Sequence, residues 1–573
     1  VMYKSLENFI ELLDSKGELV KIKEYVDPVL EIAEITDRIS KQPDGGKALL
    51  FENTGTAFPV ITNMFGSKRR ILYALGVESF EEIENYLNTL VEEITRERHS
   101  LIDKIKLLPQ LKEASEWFPV NHKGDAPCQE IVLFKPELDR LPILQCWPKD
   151  GGRFITLPMV HTEDPETGKR NVGMYRMQVF SQDSTGMHWH RHKTGARHFA
   201  NCKTNQFPVV VTLGGDPVYT YVATAPLPEG IDEYLLAGFL RNKAVELTEC
   251  LTQPLKVPSD CDFVIEGYID KSEPFAIEGP FGDHTGYYSL PDLYPIFHIT
   301  CISYRKDAVY PATLVGIPPQ EDRFMALATE KIFFTPLKLS LVPELADLHL
   351  PEEGCGHNFA FVSIKKSFPG EAIKVAHALW GAGQMMFNKI MIIVDENVDV
   401  HNIESVYQAI KNNYSPKRDT HFSRGPLDVL DHASPTCGFG GKVLIDATSK
   451  MIEEGGDKME VLSYNFVSPI VFTHEEVVTK GLITVIVDQT INLEDHYTAL
   501  WQWGANCDPI RDSKFVGKSL VMDARHKIKG EGVREWPEMA LSNIETIEIV
   551  DKKWETLELG DFIPSPSRRF LKQ

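Results

Sequence analysis

Cysteine is scarce and unpatterned in this chain. There are nine in 573 residues (Cys128, Cys146, Cys202, Cys250, Cys261, Cys301, Cys355, Cys437 and Cys507), an odd number with no C-x-x-C pair. That spacing argues against a disulfide framework or a four-cysteine zinc site and fits a reducing cytoplasm. Long apolar runs are also missing: none approaches the roughly 18 residues needed to cross a bilayer. The start, Val1-Met2-Tyr3-Lys4-Ser5, has no apolar h-region, so no signal peptide is predicted and a cytoplasmic location is expected. Basic runs are lacking too. With 60 basic against 82 acidic residues the net charge is −22, which would repel a phosphate backbone and argues against nucleic acid as a partner.

What is present is the composition of an ordinary globular protein, 43% hydrophobic and 25% charged, in a chain too long for one core. Residues 3 to 16 carry helical spacing (Leu6, Phe9, Ile10, Leu12, Leu13), with Gly17 as the stop. Leu19 to Ile22 reads as a strand, Asp27-Pro28 as an N-cap and N1 pair opening a second helix, and Ala48 to Phe51 as another strand. This alternation predicts an N-terminal α/β domain over 2–125. From 126 to 322 short Val-, Ile-, Tyr- and Phe-rich runs at Gly173–Tyr175, Val209–Leu213, Phe263–Ile265 and Phe297–Ile299 predict a barrel or curled sheet. One helix, Asp232 through Leu240, is expected to interrupt it. Residues 323–470 return to α/β, and 471–573 form a C-terminal extension.

The C-terminal part repeats itself. Residues 391–420 and 484–513 align without a gap: Ile393-Val394-Asp395 with Ile486-Val487-Asp488, Asn413 with Asn506, and Pro416-x-Arg418-Asp419 with Pro509-x-Arg511-Asp512. Gly441-Lys442 to Ala447 likewise matches Gly517-Lys518 to Ala524 with one extra residue. A duplicated strand–helix–strand unit is expected, extending the C-terminal sheet and altering subunit contacts.

The segment Glu278-Gly279-Pro280-Phe281-Gly282-Asp283-His284-Thr285-Gly286-Tyr287-Tyr288 sets two carboxylates five residues apart among turn-formers. Such a loop can aim Glu278 and Asp283 into one cavity, where like charges push their pKa values apart; an acidic surface turn would give the same letters. Upstream, Arg176 in Asn171-Val172-Gly173-Met174-Tyr175-Arg176 offers a planar fork of donors. His188, His190 and His192 alternate, so a strand would place them on one face as a metal cluster. Equally, one histidine could be a ligand while the others meet phosphate or solvent. Glu233, at the start of the predicted helix, suits that helix's N-terminal charge.

Together these motifs resemble the UbiD-type decarboxylases, which act on aromatic and α,β-unsaturated carboxylic acids with prenylated FMN. The resemblance runs from residue 3 to about 450. It is densest at Leu19-Val20…Asp27-Pro28…Glu31-Ile32, Ala48 to Asn53, Ala126-Pro127-Cys128-Gln129, Asn171 to Arg176 and Glu278 to Tyr288. It implies an α/β multidomain fold: an N-terminal α/β domain, a central split β-barrel of flavin-reductase type, and a C-terminal α/β domain. It puts Asn171 and Glu233, with His192 as third ligand, on a divalent ion, usually Mn2+; a K+ ion on carbonyls around Val222 to Ala225 is a further implication. Met174, Tyr175, Arg176, His188, Trp189, His190, Lys193 and Thr194 would touch the flavin, and Lys389 its phosphate. The catalytic trio would be Arg176, Glu278 and Asp283, with Asp283 delivering the proton that replaces CO2, a role that needs a raised pKa.

The resemblance also implies a flavin prenyltransferase as cofactor supplier, a homo-oligomer (dimer or higher), and peripheral membrane association through a lipophilic substrate. The expected substrate is 3-polyprenyl-4-hydroxybenzoate or a related quinone precursor, with dihydroxynaphthoate of menaquinone biosynthesis as the alternative. A metal-dependent hydrolase on His188, His190 and His192 is the reading from another class. This chain departs from the pattern at His188, where close relatives have arginine, and at Ile317-Pro318-Pro319, where ubiquinone-pathway relatives have Arg-Pro-Pro. Asp431 to Gly441 is the candidate substrate-facing wall.

Overall fold

A computed structural model describes residues 3–95, 108–189, 193–456, 468–476 and 479–571. The chain folds into two compact units, Val1–Gly316 with Gln320–Met325 and Met539–Gln573, and Ile317–Pro319 with Ala326–Glu538. Among the described residues no helix is long and apolar enough to cross a membrane.

The first unit opens with helix Leu6–Ser15, whose cap Ser5 accepts a hydrogen bond from the Asn8 N–H, as the spacing predicts. Strand Leu19–Tyr25 then pairs in parallel with Ala48–Asn53. The second helix does not open at Asp27-Pro28: it runs Glu31–Ser40. The Asp27 carboxylate accepts from Val29 N–H at 2.8 Å instead, and Leu30 N–H is taken by the Gln145 carbonyl at 2.8 Å. A local turn and a long-range bridge therefore delay the helix by a turn.

The central sheet has nine strands among the described residues. Its path runs Phe154–Ile155, Met177–Ser181, Ser184–Gly186, Ile296–Tyr304, Phe263–Asp270, Gln206–Leu213, Met159–Glu163, Arg170–Met174, with Ile131–Leu133 pairing on Ile296–Tyr304. Arg170–Met174 ends the path and Met177–Ser181 lies second from its start, yet only Tyr175 and Arg176 join them. Two residues span only about 7 Å, so the sheet must curl until its far ends meet. Arg176 sits at that seam.

Three helices interrupt the sheet segment where one is predicted: Thr194–Asn201, Pro217–Thr224 and Glu233–Arg241. The predicted one is capped by Asp232, whose side chain accepts from Tyr234 N–H at 2.9 Å. Pro217–Thr224 reads as a strand by its Val, Tyr and Thr content. Asp216 overrides that by capping Val218 N–H at 2.9 Å, ahead of a proline at the first helical position.

Met539–Gln573 packs on helix Glu31–Ser40 through Arg38, which is fully buried. Arg38 Nε donates to Glu34 Oε1 (2.9 Å), Nη1 to the Ile563 carbonyl (3.0 Å) and Nη2 to the Ile547 carbonyl (3.2 Å). Its guanidinium pairs with Asp551 at 2.7 Å and lies against the rings of Trp554 and Phe562.

The second unit contains the repeat. Its first sheet is ordered Leu345–His349, Phe359–Ile364, Ile390–Asp395, Phe439–Asp446, Thr420–Pro426. The second sheet, Ile470–Thr473, Ile483–Ile486, Ser519–Asp523, Ser513–Val516, repeats the last four positions with the same directions. Helix Ile403–Asn413 has its counterpart in His496–Asn506. Even the loop bonds recur: Asp419 accepts from Ser415 N–H and Arg418 Nε, and Asp512 accepts from Asp508 N–H and Arg511 Nε. The duplication is real, but it does not extend the first sheet. It builds a separate four-stranded sheet that docks on the first repeat, with Asp508 accepting from Gly441 N–H at 2.9 Å and the Trp503 ring edge-on to Phe359.

Candidate active site

Arg176, Glu278 and Asp283 come together in the first unit. Glu278 ends strand Ala276–Glu278 and is fully buried; Asp283 directly follows strand Phe281–Gly282 and is 8% exposed. Arg176 Nε donates to Glu278 Oε1 at 2.9 Å, Nη2 to Glu278 Oε2 at 3.2 Å and to Ser289 Oγ at 2.9 Å, and Nη1 to Asp283 Oδ2. The guanidinium also lies 4.8 Å from the Phe281 ring centroid. One cation thus holds two carboxylates in a desolvated pocket.

The carboxylates' ionisation follows from that arrangement. Burial alone would raise Asp283, but Arg176 and His284 hold it well below the usual carboxylate range. Burial would likewise raise Glu278, yet His188 and Arg176 hold it down. The proton-delivery role expected of Asp283 calls for a raised pKa, and with Arg176 beside it the direction is reversed. His188 is itself pushed down by burial and by Arg176. Its Nδ1 lies 3.0 Å from Glu278 Oε2, and its ring stacks near Tyr294.

Asp150 is a contributor that the sequence reading missed. Its carboxylate accepts from Gly282 N–H at 2.7 Å and Trp147 N–H at 3.0 Å, fixing the backbone beside Asp283. Burial raises its pKa to about 7. A Cβ on Gly282 would lie 2.2 Å from Trp147 Cδ1, so only glycine lets the loop approach this closely. Behind the loop, the Gly286 carbonyl accepts from Ala540 N–H at 2.9 Å, so the C-terminal segment braces the turn that carries Asp283. The only sequence signal for Asp150 is its place in the turn Asp150-Gly151-Gly152.

Asn171 and Glu233 also meet. Glu233 Oε1 accepts from Asn171 Nδ2 at 2.9 Å and Oε2 from Val172 N–H at 2.8 Å. Burial raises Glu233 to about 7. Among the described residues no cationic side chain forms an ion pair with it, because Arg170 is engaged by Asp232. A buried carboxylate and a side-chain amide with no cation paired to them among the described residues offer the hard oxygen ligands that suit a divalent ion. His190 and His192 lie outside the described residues.

Of the other candidates, Tyr175 joins the Asn171–Glu233 pair to the start of helix Thr194–Asn201: its hydroxyl donates to Asn171 Oδ1 at 3.3 Å and accepts from Gly195 N–H at 3.3 Å. Met174 ends its strand, half-buried, while Tyr175 and Trp189 are buried and pack edge-on to each other; Trp189 also meets Phe199 and Phe207 of the core. Lys193 and Thr194 open helix Thr194–Asn201, which has no side-chain cap at Lys193. Lys389 belongs to the second unit, fully buried, paired with Asp431 at 2.7 Å and donating to the Cys507 carbonyl. His432 there is buried against Asn506 and Trp536. The carbonyls of Val222 and Ala225 accept from Ala225 and Leu227 N–H.

Comparison with known proteins settles the lineage. Family models for the N-terminal, Rift-related and C-terminal domains of 3-octaprenyl-4-hydroxybenzoate carboxy-lyase match residues 10–90, 120–318 and 323–447. The chain belongs to the UbiD family of carboxy-lyases. An uncharacterised protein of Aquifex aeolicus is 49% identical over 79% of this chain and 93% of its own. One of Helicobacter pylori is 35% identical over 96% of both chains, so its match takes in the C-terminal extension. Among solved structures, vanillic acid decarboxylase of Sedimentibacter hydroxybenzoicus in its closed form is similar with a TM-score of 0.68 and 28% identity, over 81% of this chain and all of the other. The UbiD-class enzyme HmfF of Pelotomaculum thermopropionicum in complex with FMN gives 0.65 and 26%, over 81% and 98%. An evolved dimeric form of HmfF in complex with prenylated FMN gives 0.63 and 25%, again over 81% and 98%. The UbiD assignment and the mixed α/β, curled-sheet architecture expected from the sequence are both upheld.

Proposed function

We propose that this UbiD-family enzyme decarboxylates a hydroxylated aromatic acid, 3-polyprenyl-4-hydroxybenzoate or a related quinone precursor such as a dihydroxynaphthoate, with prenylated FMN. The observation that carries the reading is the buried fork of Arg176 between Glu278 and Asp283. Similar solved structures supply support: one is a vanillic acid decarboxylase and two hold FMN or prenylated FMN.

The cofactor, when bound, would supply the electron sink that no side chain offers. Lys193 and the first turn of helix Thr194–Asn201, which has no side-chain cap from Lys193 and whose Gly195 N–H is met by the Tyr175 hydroxyl at 3.3 Å, suit its phosphate. Asn171 and Glu233, with His192, would hold Mn2+. Arg176 does the rest through competition. A substrate carboxylate entering the pocket takes guanidinium donors that Asp283 now uses. Asp283, buried and left with only His284 to hold it down, then rises in pKa and can carry the proton delivered to the ring carbon that loses CO2. Glu278, still held by His188 and by the other arm of Arg176, keeps the guanidinium in place. A flavin prenyltransferase as supplier and a homo-oligomeric assembly belong to the same proposal.

The test is to co-express the protein with a flavin prenyltransferase, identify the released ligand by mass and absorbance, and assay CO2 release from both substrate classes. Bound prenylated FMN with turnover of either acid supports the proposal. A protein that retains no flavin and releases no CO2 overturns it and returns the hydrolase reading on His188, His190 and His192.

A further inference from the structure

The second unit carries a histidine–carboxylate cluster that the decarboxylation chemistry does not use. Glu330, in the middle of helix Asp322–Ser340, is buried, with its side chain only 2% exposed. Facing it are His349, the last residue of strand Leu345–His349, and His401, just ahead of helix Ile403–Asn413. His349 Nδ1 lies 3.3 Å from Glu330 Oε1, and His401 Nδ1 lies 3.7 Å from the same oxygen. One ligand atom from each of the three residues lies within 4.8 Å of the others, and the imidazole centroids are 4.6 Å apart.

The two nitrogen–oxygen separations are close to those a metal would impose. Tetrahedral zinc with bonds of about 2.0–2.2 Å sets its ligand atoms about 3.3–3.6 Å apart. The surroundings also orient the ligands. Asp347 shares a strand face with His349, two residues away, and its Oδ2 lies 3.1 Å from His401 Nε2. A carboxylate on the far nitrogen fixes the tautomer that leaves Nδ1 free to ligate, the usual support for a metal-bound histidine. Leu350 N–H donates to Glu330 Oε2 at 2.9 Å and aims the carboxylate. Asp399 accepts from His401 N–H at 2.9 Å, while Asn402 caps the next helix, so the backbone at His401 is held from both sides. The histidine side chains are 24% and 30% exposed, which leaves an entry path.

We propose that Glu330, His349 and His401 bind one zinc ion, with Asp347 as the positioning residue for His401. Two imidazoles and a carboxylate favour zinc over manganese, so this centre differs in chemistry as well as in residues from the oxygen-rich Asn171–Glu233 pair. The ion ties a helix, a strand end and a helix-entry loop together within the second unit, a structural role.

The full-length protein is stripped with a chelator, then titrated with Zn2+ against a chromophoric competitor and, separately, with Co2+ followed by visible absorbance. Wild type takes up one tight equivalent of zinc that His349→Ala and His401→Ala both lack, while Glu233→Gln retains it. Asp347→Asn weakens that equivalent by about 10–100-fold, and Co2+ at the site gives the intense visible bands of a four-coordinate ion. Zinc raises the melting temperature of wild type but not of His401→Ala; a circular dichroism spectrum like that of wild type shows that each variant is folded. Wild type without a tight equivalent, or histidine variants that bind zinc as wild type does, overturns the proposal. None of these readouts depends on flavin or on decarboxylation, so failure here is distinct from failure of the proposed function.

Discussion

Arg176 grips Glu278 with both arms of one side of its guanidinium, Nε to Oε1 at 2.9 Å and Nη2 to Oε2 at 3.2 Å, and leaves Nη1 for Asp283. A planar, permanently charged fork can do this; an ammonium cannot. The two carboxylates are therefore unequal toward Arg176, one gripped in bidentate fashion and the other by a single guanidinium donor.

The first prediction concerns that inequality. Asp283→Asn removes the proton carrier and lowers kcat by roughly 10²–10⁴-fold, with the melting temperature near that of wild type. Arg176→Lys loses activity to a similar degree because the fork is gone. Single-turnover kinetics on cofactor-loaded protein check both; a fully active Asp283→Asn would remove this residue from the mechanism.

A second prediction follows from Asp150, whose folded pKa of about 7 is raised by burial from its ordinary value near 3.8. The folded state holds a proton that the unfolded chain releases, so the group's contribution to stability is complete below pH 3.8 and lost as pH rises through 7. Asp150→Asn removes this slope. Denaturant unfolding between pH 4 and 8 should show wild type losing stability relative to the variant up to about pH 7 and running parallel to it above. Parallel behaviour throughout would contradict the assignment.

Arg38 anchors the C-terminal segment. Arg38→Ala leaves Glu34 buried without its cation and should cost about 3–5 kcal/mol. Loosened docking of Met539–Gln573 would also withdraw Ala540 from Gly286 and slow turnover. Limited proteolysis should cut the variant near residue 538 faster than wild type. Equal cleavage rates would show that the segment is held by other contacts.

The two repeats meet at Trp503, which is fully buried and edge-on to Phe359. Trp503→Ala opens a cavity costing about 3–5 kcal/mol, read as a lower midpoint in denaturant. An unchanged midpoint would mean that the second repeat contributes little to the unit's stability.

Much of this was legible in the sequence. The motif order identified the lineage, and the E-x4-D loop and Arg176 announced a charged site because their residue types are costly to bury without partners. The helix Glu233–Arg241 and the duplication were readable from local spacing. What escaped was non-local. Asp150 reaches Gly282 across more than a hundred residues, and Arg38 meets Asp551 across more than five hundred. Local preference also misled where a distant partner won, as when Gln145 claimed the Leu30 N–H that would otherwise have opened a helix at Asp27. Chemical state is set the same way: the fall in the Asp283 pKa belongs to Arg176 and His284 as neighbours in space.

The central claim is that Asp283, released from Arg176 by the substrate, protonates the carbon that loses CO2. The most direct measurement is turnover of cofactor-loaded protein in D2O with 3-polyprenyl-4-hydroxybenzoate and with a dihydroxynaphthoate, read by mass spectrometry and NMR of the product. One deuterium at the vacated ring carbon in wild type, with product formation lost in Asp283→Asn, is the predicted result. Unchanged formation of singly deuterated product by Asp283→Asn would contradict it.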